Sequence, residues 1–455
     1  MSRISYLSEL LSSVFTRQDT SDQGVHHGSF ADLCDSVLSH QGESSGNRFA
    51  RSLLLKFSES SEEEQREFFQ LLANQFDIDA GEAVRAAQGY ASQRSADTLS
   101  VLMDSVEPRR QELFRRLNRV PGATNDLVRM RALLLEACKT DNDLRRIDLD
   151  FQRLFSSWFN RGFLVLREID WHTPANILEK VIEYEAVHAI NSWSALRKRL
   201  KPCDRRCFAF FHPAMPDEPL IFVEVALTVE SPASIREILQ SDRSIVQEHE
   251  ANTAVFYSIS NCQKGLAGVS FGNFLIKQVA TELSIAVPGL KTFRTLSPVP
   301  GFISWVNDEL ATFPEKQASV EIDNRQEHNQ LPLPWLKLAQ QVAASTEHTF
   351  SDEDKLQLKK LVAYYLMKVR RDDTQAMDPV ARFHLGNGAS LDAVLPGADI
   401  YQKGLSQSAG VMVSYLYDLE KVASNHELYA NERQIVAADA VLALLEPEKR
   451  KRKLA

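Results

Sequence analysis

The sequence predicts a protein of mixed α+β and α/β character. An all-helical N-terminal domain covers residues 1–160, and a mixed β-sheet domain flanked by helices covers residues 161–455. Three observations point there. At 455 residues the chain exceeds what one hydrophobic core ordinarily fills. Up to about residue 160 the apolar residues recur at helical spacing. Beyond Phe159, short β-branched and aromatic runs alternate with helical patterns, as in a sheet whose strands are joined by helices.

The first part reads as a series of helices separated by polar breaks near 41–46, 58–61, 94–98 and 119–125. Ser61-x-x-Glu64 is a capping box, and Phe68, Leu72 and Phe76 follow at i, i+4 and i+8. After the Pro121-Gly122 turn, Leu127, Met130, Leu134 and Cys138 form the next apolar stripe. No fixed-period repeat of the solenoid kind is present. No residue here is one that chemistry demands, so the segment is either a partner or oligomerisation surface or a bundle packed on the second domain.

In the second part, Phe163–Ile169 reads as a strand, and Trp171 to Pro174 leads into a helix ending near His188. Cys207–Phe211 and Leu220–Thr228 read as a hairpin around a Pro/Asp turn at 213–219. Residues 253–295 continue the sheet, giving the order β-α-β-β-α-β-α-β. Residues 312–334 are polar, end in Pro332 and Pro334, and read as a long surface connection or lid. Helices are expected at 335–345 and 352–371. His384 precedes an Asn-Gly turn, and Tyr415 and Tyr417 lie in a run of small residues. A final amphipathic helix is expected at about 431–446, followed by a basic run, Lys449–Lys453, that reads as a solvated helix end.

Composition narrows the function. The chain is 44% hydrophobic and 25% charged, the balance of a soluble globular protein. A net charge of -9 speaks against a nucleic-acid partner. No segment approaches the roughly 20 apolar residues of a membrane span, and neither a transit peptide nor a secretory signal is evident. A cytoplasmic location is expected. Cys34, Cys138, Cys203, Cys207 and Cys262 show no zinc-type pairing and read as reduced thiols. His172, His188, His212 and His384 are scattered, so no metal site is expected.

The most informative stretch is Thr253–Phe302. A β-branched and aromatic strand leads to glycines at 265, 268 and 272. A helix follows, carrying Phe271, Leu275, Val279 and Leu283 at every fourth position, and then a strand at about 290–295 that ends on Ser297. A strand, a glycine-rich turn and a helix together offer backbone N–H groups to a phosphate. The turn is neither a Walker A loop nor a dinucleotide fingerprint, however, and its glycines could equally serve close helix–strand packing. Taken alone, Ser297 before a proline could be structural, and His384 could be a satisfied core histidine.

Four motifs resolve these alternatives: Phe-Tyr-Ser-Ile-Ser from 256, Gly-Leu-Ala-Gly-Val-Ser-Phe-Gly-Asn-Phe-Leu-Ile-Lys from 265, Leu-Ser-Pro-Val-Pro-Gly-Phe from 296 and Phe-His-Leu-Gly-Asn-Gly-Ala from 383. With their surroundings, 163–188, 212–228, 256–305 and 381–419, they resemble the malonyl-CoA decarboxylase family in order and wording. The resemblance implies a catalytic domain of the GNAT acetyltransferase superfamily, with a CoA loop at Ala267, Gly268, Val269, Ser270, Phe271, Gly272 and Asn273. It implies Ser297 as proton acceptor or orienting hydrogen bond, His384 as proton donor and Tyr417 in support, with Ser297 and His384 also contacting the substrate. Malonyl-CoA and acetyl-CoA are the implied ligands, with no cofactor or metal, and a homo-oligomer, up to a tetramer, through the helical domain. Animal members carry a glutamate where this chain has Ser270. They end in a peroxisomal Ser-Lys-Leu, whereas this chain ends Lys453-Leu454-Ala455, as expected of a bacterial, cytoplasmic form.

The chemistry suits these residue types. Decarboxylation leaves a thioester enolate that preorganised donors can stabilise, and a histidine near its ordinary pKa is a suitable proton donor to its carbon. Two other readings use the same scaffold: an acyl-CoA transferase acting on an amine, and an acyl-CoA-sensing interaction protein.

Overall fold

A computed structural model describes residues 28–39, 42–269, 271, 275–318, 335, 338, 340–342, 350–371 and 374–445. The chain forms two compact units. The first comprises residues 1–165, 211–219 and 263–271, and the second comprises 166–210, 220–262 and 272–455.

The first unit holds helices α1 (Phe30–Ser39), α2 (Glu43–Glu59), α3 (Glu62–Gln75), α4 (Ala80–Ser92), α5 (Ala96–Ser105), α6 (Arg109–Leu117), α7 (Ala123–Ala137) and α8 (Arg145–Trp158). The capping box opens α3 as expected: the Ser61 hydroxyl oxygen accepts from Glu64 N–H, and the Glu64 carboxylate accepts from Ser61 N–H. Phe68, Leu72 and Phe76 are buried, as are Leu127, Met130, Leu134 and Cys138. Two aromatic groups build the core, Phe57, Phe68 and Phe69 in one and Phe114, Phe151 and Phe155 in the other. The expected break at 41–46 is narrower, because α2 already begins at Glu43. α4 and α5 bury no residue at all.

Arg131, only 1% exposed, ties α7 to Asp148 of α8 at 2.7 Å and donates to the Gly265 carbonyl at 2.7 Å. Gly265 lies so close to α7 that a Cβ there would stand 1.8 Å from the Val128 carbonyl oxygen. Only glycine fits.

The second unit is organised by a sheet of order β1-β2-β3-β4-β5-β10-β6, with β9 on the other edge of β10. The strands are β1 (Val165–Glu168), β2 (Arg205–His212), β3 (Met215–Thr228), β4 (Thr253–Asn261), β5 (Thr292–Thr295), β6 (Ser297–Pro298), β9 (Ser390–Leu395) and β10 (Met412–Leu416). A small separate pair is formed by β7 (Arg370–Arg371) and β8 (Gln375–Ala376). From Glu218 to Leu227 β3 is buried without interruption, which is why its sequence does not alternate. β4 runs antiparallel to β3 and parallel to β5. The parallel pairing stops at Phe256–Thr295 while β4 continues to Asn261, so the two strands part company there. Ala226, Ile235, Val255, Tyr257, Leu296 and Met412 pack together as a core cluster.

The helices of this part are α9 (Ala175–Tyr184), α10 (Trp193–Leu200), α11 (Ile235–Leu239), α12 (Leu275–Ala286), α13 (Phe302–Ala318), α14 (Asp352–Lys368), α15 (Pro379–Gly386), α16 (Gln402–Ser408), α17 (Val422–Glu432) and α18 (Asp439–Leu442). α12 buries Leu275, Val279 and Leu283, the stripe the sequence predicts, while Phe271 lies ahead of the helix.

Several expectations are corrected. The first strand begins at Val165 rather than Phe163, and α9 ends at Tyr184, short of His188. The hairpin turns at Pro213 and Ala214 alone, and the Pro/Asp residues from 216 to 219 extend β3, because apolar residues on either side carry the strand past them. Residues 312–318 belong to helix α13 rather than to a surface connection; 319–334 lie outside the described residues. Only five residues of 335–345 are described, and the tail from Glu446 on is not. No single helix covers 431–446: α17 ends at Glu432 with Arg433 left-handed (φ 60°). The chain then pairs with β9 through Leu391 before α18 begins.

Candidate active site

Three elements bring three side chains to one point in the second unit. β6 carries Ser297, next to β5, which the α12 crossover sets parallel to β4. α15 carries His384 in its last turn. Asp378 caps that helix, its carboxylate accepting from the N–H groups of Val380 (2.9 Å) and Ala381 (3.0 Å), and Pro379 occupies the first turn. The other Asp378 oxygen accepts from Gly301 N–H at 3.0 Å, so one buried carboxylate holds both the chain after Ser297 and the helix of His384. α15 closes on Asn387 and Gly388; Gly388 has φ +81°, and a Cβ there would meet the Val422 carbonyl at 2.1 Å. Tyr417 follows β10 and is held by its own N–H to the Phe293 carbonyl, 2.8 Å.

The result is a line of hydrogen bonds. Ser297 Oγ lies 2.9 Å from His384 Nε2, and His384 Nδ1 lies 2.9 Å from the Tyr417 hydroxyl. The Ser297 hydroxyl donates to Thr295 Oγ1 at 3.0 Å, and that oxygen also accepts Tyr415 N–H at 3.1 Å. The Tyr415 ring stacks on the imidazole at 4.5 Å, the Phe383 ring meets it edge-on, and Phe256 meets Tyr417 edge-on. Ser297, His384 and Tyr417 are all buried.

Burial dominates the electrostatics. It pushes His384 down to about 3, so the imidazole is neutral, and it pushes the Tyr417 phenol up, so that group is neutral too. The expectation of a histidine near its ordinary pKa is therefore corrected. Among the described residues no carboxylate contributes to the shift, and the rings of Phe383, Tyr415 and Tyr417 lie against the imidazole.

The proposed CoA loop is described only in part. Ser270, Gly272 and Asn273 lie outside the described residues, while Ala267, Gly268, Val269 and Phe271 fall in the first unit. The N–H groups of Ala267 and Val269 already donate to the Lys264 and Leu266 carbonyls, and Gly268 takes φ +77°. Of the two readings of the glycines, close packing holds for Gly265, though against helix α7 rather than a strand. Sequence reasoning missed Thr295 and Asp378. The Asp-Pro pair at 378–379 was a legible helix start, whereas nothing local marks Thr295. Among the described residues no group of three or more His, Cys, Asp or Glu could hold a metal, and no helix is long and apolar enough to cross a membrane. All five cysteines are free thiols.

Comparison with known proteins bears on this geometry. Residues 162–455 match the family described as Malonyl-CoA decarboxylase C-terminal domain, and residues 76–159 match Malonyl-CoA decarboxylase N-terminal domain. The chain belongs to the malonyl-CoA decarboxylase family. Similar members include the mitochondrial malonyl-CoA decarboxylase of Anser anser anser, 35% identical over 405 residues that cover 82% of this chain and 78% of the relative. The mitochondrial enzyme of Rattus norvegicus is 32% identical, covering 82% and 80%. Solved structures of malonyl-CoA decarboxylases share the fold. That from Rhodopseudomonas palustris is 45% identical with a TM-score of 0.82, covering 90% of this chain and 98% of that one. That from Agrobacterium vitis is 44% identical with a TM-score of 0.81, covering 92% and 100%.

Proposed function

We propose that the protein converts malonyl-CoA to acetyl-CoA and CO2, with Ser297, His384 and Tyr417 at the reacting centre. The observation that carries the site assignment is the unbroken line Ser297 Oγ–Nε2 His384 Nδ1–Tyr417 at 2.9 Å on each side. Loss of CO2 leaves an enolate whose charge lies on the thioester oxygen, and that carbanion is far more basic than any side chain at the site. A neutral imidazole can therefore protonate it. Nε2–H leaves to C2, with Ser297 Oγ holding it in line beforehand, while Nδ1 takes the Tyr417 proton; a proton from solvent then returns to Nε2 as Nδ1 gives the phenol back its own. The net reaction consumes one proton. Ser297 also orients the malonyl group, which must present its C–COO⁻ bond perpendicular to the thioester plane.

The same reading gives Ala267–Asn273 to the CoA pyrophosphate and takes the sheet as GNAT-like. In support, β4 and β5 run parallel across a helical crossover and then part. It divides the chain into a helical domain over 1–160 and a catalytic domain over 161–455. It assigns homo-oligomerisation to the helical domain, in keeping with α4 and α5, none of whose residues is fully buried, and a cytoplasmic location.

The experiment is incubation with malonyl-CoA alone, reading CO2 and acetyl-CoA. Ser297→Ala and His384→Ala are each expected to lower kcat by roughly 10²–10³ with the fold intact. Near-normal turnover in either variant refutes the site assignment. No product from the unaltered protein refutes the activity.

A further inference from the structure

Thr295 stands at the centre, and none of the chemistry above uses it. It is 2% exposed and lies at the end of β5. β5 and β6 face β10 in one continuous register, with Arg294 opposite Leu416 and Ser297 opposite Val413, which puts Thr295 beside Tyr415. There the Tyr415 N–H donates to the Thr295 hydroxyl oxygen at 3.1 Å, and the Ser297 hydroxyl donates to the same oxygen at 3.0 Å. Both lone pairs are occupied.

The consequence lies two atoms away. A serine hydroxyl has a single hydrogen. With that hydrogen on Thr295, the 2.9 Å contact between Ser297 Oγ and His384 Nε2 must be made by an N–H on Nε2. A neutral imidazole carries one N–H, so Nδ1 is bare and accepts from the Tyr417 phenol at 2.9 Å. The line then has one polarity, Tyr417 to Nδ1, Nε2–H to Ser297, Ser297 to Thr295. Without an acceptor at 295, the serine hydrogen would turn to Nε2 and the ring would carry its proton on Nδ1. That arrangement is the one in which a histidine activates a serine as nucleophile.

We propose that Thr295 is a positioning residue that sets the Nε2–H tautomer of His384 by accepting the Ser297 hydrogen, so that the pair stands as a proton donor rather than as a base and nucleophile. The tautomer part rests on hydrogen-bond geometry and on the neutrality of the buried ring. The activity part rests on the decarboxylase reading above.

Nitrogen-15 NMR of histidine-labelled full-length protein at neutral pH tests it, with His384→Gln identifying the ring signals. The unaltered protein is expected to show a protonated Nε2 and a bare Nδ1 at His384. Thr295→Val, which keeps the shape and removes the acceptor, is expected to move the proton to Nδ1, and Thr295→Ser to leave it on Nε2. On malonyl-CoA, Thr295→Val should lose about tenfold or more in kcat with KM within about threefold, and Thr295→Ser should stay within about threefold of the unaltered protein in both. If valine prevents folding, Thr295→Ala carries the same expectation. An Nδ1–H ring in the unaltered protein, or an unmoved proton in the valine or alanine variant, overturns the proposal. An unaltered protein with the expected tautomer and no turnover of malonyl-CoA would defeat the decarboxylase reading instead.

Discussion

His384 owes its state to what surrounds it more than to any charged partner. Tyr415 covers one face, Phe383 meets its edge, and both nitrogens are bonded to neutral hydroxyls. The folded protein therefore refuses a proton down to about pH 3, whereas the unfolded chain accepts one near 6.5. His188 is held to about 3 as well, by its own burial and by the Arg199 and Lys403 charges. The sign follows: the contribution of each ring to stability is complete above pH 6.5 and is lost as pH falls from 6.5 toward 3. Each costs about 1.4 kcal/mol per pH unit over that window. His384→Gln is expected to remove one such increment, so its stability should fall less steeply than the parent's between pH 6.5 and 4.5. Urea unfolding at several pH values reads this. Parallel slopes in the two proteins would mean that His384 takes up protons as freely folded as unfolded.

At the scale of elements, α15 is clamped at both ends, by Asp378 at its start and by Gly388 just past its finish. The glycine serves two constraints at once, a left-handed φ of +81° and an approach of 2.1 Å between a notional Cβ and the Val422 carbonyl. Gly388→Ala is expected to destabilise the protein by more than about 2 kcal/mol, because strain and overlap add. It should also lower kcat by about tenfold or more, since displacing the helix end displaces His384. Chemical denaturation and steady-state kinetics measure the two effects, and a variant within about 0.5 kcal/mol of the parent would show that the corner has room to give. A second buried polar cluster braces the sheet elsewhere. Arg199 of α10 donates to Glu224 of β3 and to the His188 carbonyl, each at 2.6 Å. Glu185 accepts from the Ser258 hydroxyl of β4 and from the N–H groups of Val187 and His188. Its bonds link α10 to β3 and to the loop after α9, and that loop to β4, a bracing role.

At the scale of the whole molecule, the helical unit is more than the first 160 residues, since residues 211–219 and 263–271 group with it. Arg131 and Val128 of α7 fix the second of these segments at Gly265. The same unit leaves Val84, Leu99, Val101 and Met103 exposed on α4 and α5, with Val101 at 59% and Met103 at 62%. If these helices carry the proposed oligomerisation, Val101→Asp with Met103→Asp should shift the native mass toward that of one chain. Analytical ultracentrifugation of both proteins decides it, and an unchanged mass would move the interface elsewhere.

Local chemistry made much of this molecule legible in advance. Ser61 and Glu64 mark a helix start, the stripe at 275, 279 and 283 marks a buried helix face, and the motifs around Ser297 and His384 carry the family, because each depends on neighbours within a few residues. Other features waited for the tertiary structure. Strands β9 and β10 were not expected, since Tyr415 and Tyr417 sit in a run whose strand character comes from pairing with β5, β6 and β9. The polar stretch after residue 311 looked like a connection, yet helix α13 continues through Ala318. The meeting of Ser297, His384 and Tyr417 spans more than a hundred residues of sequence, and the low pKa of His384 arises from rings donated by a different strand and from its own helix. Residue type and spacing therefore determined which groups could do the chemistry. Long-range pairing and burial, which no local pattern encodes, decided which of them touch and in what protonation state.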